Sequence, residues 1–307
     1  ATPRAARMVA RTGLVALAHC TAGAAAVVSE PRIAVFSALV DIAHYACGDL
    51  LLAALVLRCS AKFYGSQLPF HLLYQGPGGA EGEASKRLLR AAGWTVHDLT
   101  ASTAFVKSIY RPVYTEAEAR RHGRPWVPNN SVQTRLDGWA TYFKFFAWRA
   151  TEYDRAFLVD LDLQFNGNPD PVMVDIASRE RRPFLATAER MKRQYVGLNT
   201  HVVMLSPSNS TFNDLVTLAR NGDYIPYTNT EQDVLENMFQ GYLYDGGSEL
   251  ARIPHLHYVF PTHSRTCSRH RLFRRVADPP DCEELLDMCQ LSFIGCPPYF
   301  VGSVHSA

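Results

Sequence analysis

The stretch Lys144-Phe-Phe-Ala-Trp-Arg-Ala-Thr-Glu-Tyr-Asp-Arg-Ala-Phe-Leu-Val-Asp-Leu-Asp162 decides how this chain is read. Its second half, Arg155 to Asp160, is an apolar run of strand length that ends in a carboxylate. Leading into it, Leu136, Trp139, Ala140, Phe143, Phe146 and Ala147 recur at i, i+3, i+4, i+7, i+10 and i+11, which predicts an amphipathic helix. On an extended chain, Asp160 and Asp162 fall on the same side. Such a pair can grip one hard cation, Mn²⁺ or Mg²⁺, that keeps open positions for a diphosphate.

Outward from this block the chain alternates between short apolar runs and helical spacings. Arg32 to Val40, Phe70 to Tyr74, Trp94 to Leu99 and Asn199 to Leu205 read as strands. Leu51, Leu52, Leu55 and Cys59 fall at helical spacing, as does the segment Ala84 to Ala92 after a Gly/Glu loop from Gly76 to Glu83. Thr230 to Phe239 reads as a helix with Thr230 as N-cap and Asp233 at N3. Tyr110 to Ser131 has no steady period and reads as a long loop near the active site. The sum is an α/β fold with a Rossmann-like, doubly wound, mainly parallel sheet.

Composition narrows the classes. Of 307 residues, 47% are hydrophobic and 20% charged, enough for a sizeable core, and a net charge of +2 gives no reason to expect nucleic acid as a partner. The seven cysteines show no zinc-ligand spacing, although Cys267, Cys282, Cys289 and Cys296 allow disulfides in an oxidising compartment. Arg265, Arg269, Arg271, Arg274 and Arg275 read as a solvated segment. Sequons at Asn129 and Asn209 permit a secretory lumen, which is favoured slightly over the cytoplasm. Residues 1–30, with Arg4, Arg7, Arg11 and an apolar run from Gly13 to Val28, resemble a presequence or signal segment, shorter than the roughly 20 apolar residues of a spanning helix. Residues 31–307 are expected to be a single domain, truncated at its C-terminus.

The Lys144–Asp162 block resembles glycosyltransferase family 8, the glycogenin-like enzymes, which carry a lysine, a helix, a T-E-Y-D turn, a strand and D-x-D in that order. The resemblance extends from about Arg32 to Phe239. Phe36-Ser-Ala-Leu-Val-Asp41 with Tyr45 is similar to the family's first strand, Gly197 to Ser208 to its F-N-S-G-V strand, and Glu231 to Asn237 to its D-Q-x-x-L-N helix start. It implies a GT-A type nucleotide-diphospho-sugar transferase fold and retaining transfer of a hexosyl group from a UDP-sugar, UDP-glucose foremost, to an acceptor hydroxyl on a protein, glycan, polyol or lipid. It also allows a homodimer.

Roles follow residue by residue from that resemblance. Asp160, Asp162 and a C-terminal histidine, His305, would hold the metal; Ser292 is the alternative match for the third position, and His255, His257 and His263 read as packing or loop residues. Ser37, Leu39, Asp41, Tyr45, Asp160 and Leu161 would contact the nucleotide, Asn199 and Thr200 the sugar, and Glu231 would belong to the same substrate site. Lys144, Asn199 and Gln232 would act in catalysis, Lys144 against the donor phosphates and Gln232 beside the anomeric carbon. Two departures stand out: His201 replaces a glycine, and Glu231 a shorter aspartate. Competing readings of D-x-D are a plain polar turn, a haloacid-dehalogenase-type phosphatase and a non-catalytic relative. Leu163-Gln164-Phe165 speak against the phosphatase, whose motif continues with small or hydroxylated residues.

Overall fold

The computed structural model describes residues 30–40, 50–121, 123, 138–190, 196–239, 250 and 252–253. Among them six strands form one sheet: β1 (Ile33–Val40), β2 (Phe70–Gln75), β3 (Thr95–Asp98), β4 (Arg155–Val159), β5 (Phe184–Arg190) and β6 (Val196–Leu205). Their order is β3-β2-β1-β4-β6-β5. The first four are mutually parallel, and β6 runs antiparallel to both of its neighbours. The described helices are α1 (Leu50–Phe63), α2 (Gly79–Ala92), α3 (Thr103–Ile109), α4 (Glu116–Arg121), α5 (Asp170–Arg179), α6 (Asn209–Asn221) and α7 (Glu231–Met238), with a short 3₁₀ turn over Thr100–Ser102 and a longer 3₁₀ helix, hereafter the 3₁₀ helix, over Ala140–Arg149.

β1 explains the layering. A strand alternates its side chains between two faces, and this one is apolar on both, as a central parallel strand must be. Ile33, Val35 and Leu39 enter one core with α1, α2 and α5, while Ala34, Phe36 and Val40 enter a second with α3, the 3₁₀ helix, α6 and α7. Winding proceeds from β1 to β2 and β3 on one side and resumes at β4 on the other. The crevice at the carboxyl ends of β1 and β4 is therefore the topological switch point, where open α/β sheets bind ligands. β4 ends there, and Asp160 follows it.

Several expectations are corrected. The aromatic stretch before β4 is a 3₁₀ helix, not an α-helix; Ala140 to Trp148 buries seven side chains, and its rows repeat every three residues. The chain is not extended through Asp162, because Leu161 and Asp162 form a turn directly after Asp160. α2 starts at Gly79, inside the expected loop, and closes on Gly93, whose φ of 103° accepts the left-handed cap. α4 occupies part of the expected long loop. Thr230 does cap α7, its hydroxyl accepting from the Gln232 amide at 3.3 Å. The Asp233 carboxylate, however, reaches past the cap to the amides of Tyr227, Thr228 and Asn229 at 2.7–2.9 Å. No described helix is long and apolar enough to cross a membrane. Asn209 lies exposed at the start of α6; the Asn129 sequon, residues 1–29, the Arg265–Arg275 run and the four C-terminal cysteines lie outside the described residues.

Candidate active site

The site assembles where three elements meet the end of β4. Asp160 continues the β4–β6 ladder by one bond, its amide donating to the His201 carbonyl at 2.8 Å. On its other edge β6 departs from regular pairing: Ala186 faces Val203 while Thr187 faces Asn199, so one step along β5 spans four along β6. Residues 200–202 are the excess, a bulge of the kind found beside active sites. It brings Asn199, Thr200 and His201 level with Asp160.

The 3₁₀ helix supplies Lys144. In three-residue turns, side chains at i and i+3 eclipse, so Thr141 and Lys144 share one row. Both engage Glu231, the first residue of α7. The Glu231 amide donates to the Thr141 hydroxyl at 3.0 Å, and Lys144 Nζ lies 2.8 Å from Glu231 Oε1. The same ammonium lies 2.6 Å from Asp160 Oδ1 and donates to the Thr200 hydroxyl at 3.2 Å. The Thr200 hydroxyl in turn donates to Glu231 Oε1 at 2.6 Å. The Glu231 side chain is 1% exposed and that of Asp160 29%, so the network is closed on the α7 side and open at Asp160.

Charge stabilises this geometry. Burial works against the Lys144 ammonium, but attraction to Asp160 and Glu231, with their hydrogen bonds, outweighs it and holds the lysine above its ordinary range. Burial likewise opposes ionisation of Glu231, and the Lys144 charge with hydrogen bonds from Lys144, Thr141 and Thr200 brings it below the ordinary glutamate value. His201 goes the other way. Burial, with the nearby Lys144 charge, lowers it to about 4, so its ring is neutral near pH 7. Its amide donates to Asn199 Oδ1 at 2.8 Å, and its ring Nδ1 contacts the same oxygen and the Thr187 hydroxyl.

The structure thus gathers Lys144, Asp160, Thr200 and Glu231, with Asn199 on the adjoining strand, Asp162 two residues past Asp160, and Gln232, 6% exposed, next to Glu231. It puts the side chains of Ser37, Leu39 and Leu161 elsewhere. Ser37 is fully buried and its hydroxyl donates to the Val159 carbonyl at 2.5 Å, tying β1 to β4; Leu39 and Leu161 pack in the core beneath. These three side chains are interior and leave only backbone atoms of Ser37, Leu39 and Leu161 to meet a ligand. Asp41, Tyr45, Ser292, His305, His255, His257 and His263 lie outside the described residues. Thr141 was not foreseen: a hydroxyl one 3₁₀ turn before Lys144 is a signal only once the three-residue repeat is known.

Among the described residues, no group of three or more His, Cys, Asp or Glu side chains is placed to hold a metal ion. Asp160 and Asp162 offer a pair of carboxylates, hard oxygen donors of the type Mn²⁺ and Mg²⁺ accept while keeping water or phosphate as their other ligands. The donor set therefore fits such an ion in kind.

An open, mainly parallel α/β sheet with acids at its switch point defines the class of this protein. Among solved structures, the fold is similar to the galactosyltransferase LgtC in complex with donor and acceptor sugar analogs, at 13% identity over 84% of this chain and 95% of that one, with a TM-score of 0.47. It is also similar to mouse xyloside xylosyltransferase 1 in its apo form, at 14% identity over 69% of this chain and 84% of that one, TM-score 0.43. A third is the glycosyltransferase GlyE of Streptococcus pneumoniae TIGR4, at 15% identity over 87% of this chain and 66% of that one, TM-score 0.45. At these values the likenesses carry no argument about activity. No protein-family model and no curated protein matches the chain.

Proposed function

We propose that this chain is a metal-dependent, retaining glycosyltransferase of the GT-A type, similar to family 8, that moves a hexosyl group from a UDP-sugar to an acceptor hydroxyl. One observation carries the reading: a buried, charged lysine is held between Asp160 and Glu231 at the switch point of a mainly parallel sheet, with a second acid, Asp162, two residues on in the chain. A strand-end pair of acids with a neighbouring cation suits a diphosphate, which needs positive charge on more than one side.

In this reading Asp160 and Asp162 hold Mn²⁺ or Mg²⁺, with His305 as the expected third ligand. The ion, when bound, neutralises charge on the departing diphosphate. Lys144 stays protonated throughout the working pH range and supplies the second positive charge. Asn199 and Thr200, set at the β6 bulge, orient the sugar, and Gln232 presents an amide to the anomeric carbon. The bond from that carbon to the diphosphate oxygen breaks, the acceptor oxygen bonds on the same face, and the leaving diphosphate takes the acceptor proton. UDP-glucose is the first donor to try, and the secretory lumen the compartment we favour.

The test is release of UDP from a panel of UDP-sugars, with Mn²⁺ and with chelator. Turnover of at least one sugar with Mn²⁺, reduced about a hundredfold or more by chelator and by Asp162→Asn, is expected. Hydrolysis of a chromogenic phosphate ester without UDP release would replace this reading with a phosphatase. A product of inverted configuration would remove the retaining mechanism.

A further inference from the structure

Lys144 sits on a carboxylate that the proposed metal must also use. Its ammonium takes Asp160 Oδ1 at 2.6 Å, the shortest of its three contacts. A divalent ion at Asp160 and a protonated lysine on the same carboxylate repel each other at a separation where the screening of water is weak. The lysine has a second place to go. Glu231 Oε1 at 2.8 Å and the Thr200 hydroxyl at 3.2 Å already hold it from the other side, so it can leave Asp160 without becoming a buried charge stripped of partners. Glu231 is itself fixed: its amide is anchored on Thr141 and its side chain accepts from Thr200.

We infer that Glu231 is the positioning residue that draws Lys144 off Asp160 and so sets the affinity of the acid pair for a divalent cation. The inference rests on the proposed metal site. Asp160, Asp162 and Glu231 together carry three negative charges against the one positive charge of Lys144, leaving two that a divalent ion would neutralise. Glu231 contributes to that balance by occupying the lysine, not by touching the ion.

Calorimetric titration of Mn²⁺ alone into the whole chain, without nucleotide, tests this in four forms: wild type, Lys144→Met, Glu231→Gln and the double variant. Lys144→Met is expected to bind Mn²⁺ about tenfold more tightly, because the competing charge is gone, and Glu231→Gln about tenfold more weakly, because the lysine stays on Asp160. In the Lys144→Met background, Glu231→Gln is expected to change affinity less than about twofold. Glu231→Asp, which keeps the charge, should recover most of the wild-type affinity and covers the case in which the glutamine variant fails to fold. An equal loss on Glu231→Gln with and without Lys144 would overturn the inference, since Glu231 would then act on the ion by itself. So would weaker Mn²⁺ binding by Lys144→Met. Absence of any Mn²⁺ binding by the folded wild type would instead end the metal site, and the inference with it.

Discussion

His71 shows at the level of one side chain how this fold handles titratable groups. Its Nδ1 meets His97 Nε2 at 2.8 Å and its Nε2 meets the Tyr153 hydroxyl at 2.8 Å, while its ring stacks on Phe36 at 4.7 Å. Burial, then the proximity of His97, lowers it to about 4, against an effect of the Glu152 charge in the other direction. The folded state therefore keeps His71 neutral where the unfolded chain takes up a proton near pH 6.5. Its contribution is complete above that value and is lost as pH falls towards 4, because the unfolded state then binds more protons. Urea unfolding at pH 7.5 and 4.5 should show the wild type losing about 2 kcal/mol more between the two than His71→Phe does. Equal losses would contradict the assignment. Lys144 and Asp160 stood out in the sequence through the resemblance of one continuous block, a lysine, a strand and an acid pair, to a known family. That Glu231, from a distant helix, holds the lysine did not, since an ion pair between remote segments leaves no local pattern.

The 3₁₀ helix and the bulge of β6 are what bring those side chains together. Rows of three place Tyr142, Phe145 and Trp148 in one line and Thr141 and Lys144 in another, so the aromatic rows can pack while the polar row meets α7. In the sequence the stretch mimics an α-helix, because over ten residues so rich in aromatics both repeats find apolar positions. β5, α5 and α6 add to what the sequence left open, although α6 carries a clear helical signature, with Phe212, Leu215, Val216 and Ala219 at i, i+3, i+4 and i+7 between a Ser208 cap and Gly222. The 3₁₀ helix is seated by Gly138. A Cβ there would collide with the Tyr110 hydroxyl and with the Asn229 carbonyl. Asn229 itself has φ 51° and both donates to and accepts from the Val113 backbone, pinning the turn before α7. Gly138→Ala must push these apart and should destabilise the fold by on the order of 2–3 kcal/mol, read by urea unfolding. A change under about 0.5 kcal/mol would show that this contact does not seat the helix.

For the molecule as a whole, the decisive feature is where the sheet changes its winding direction. The strand order could be anticipated only in class: apolar runs alternating with helical spacings give a mainly parallel sheet, but nothing local to β6 reveals that it runs antiparallel. Asp160 lies at the switch point because β4 is inserted beside β1, and Lys144, Thr200 and Glu231 converge there from three other elements. In the proposed reaction the acids at this crevice present a divalent cation to a nucleotide diphosphate. Calorimetric titration of UDP into the protein, with Mn²⁺ and with chelator, reads that step without turnover. Binding that requires Mn²⁺ and weakens at least about tenfold in both Asp160→Asn and Asp162→Asn is predicted. UDP affinity that is the same with chelator, or unchanged in both variants, would contradict it.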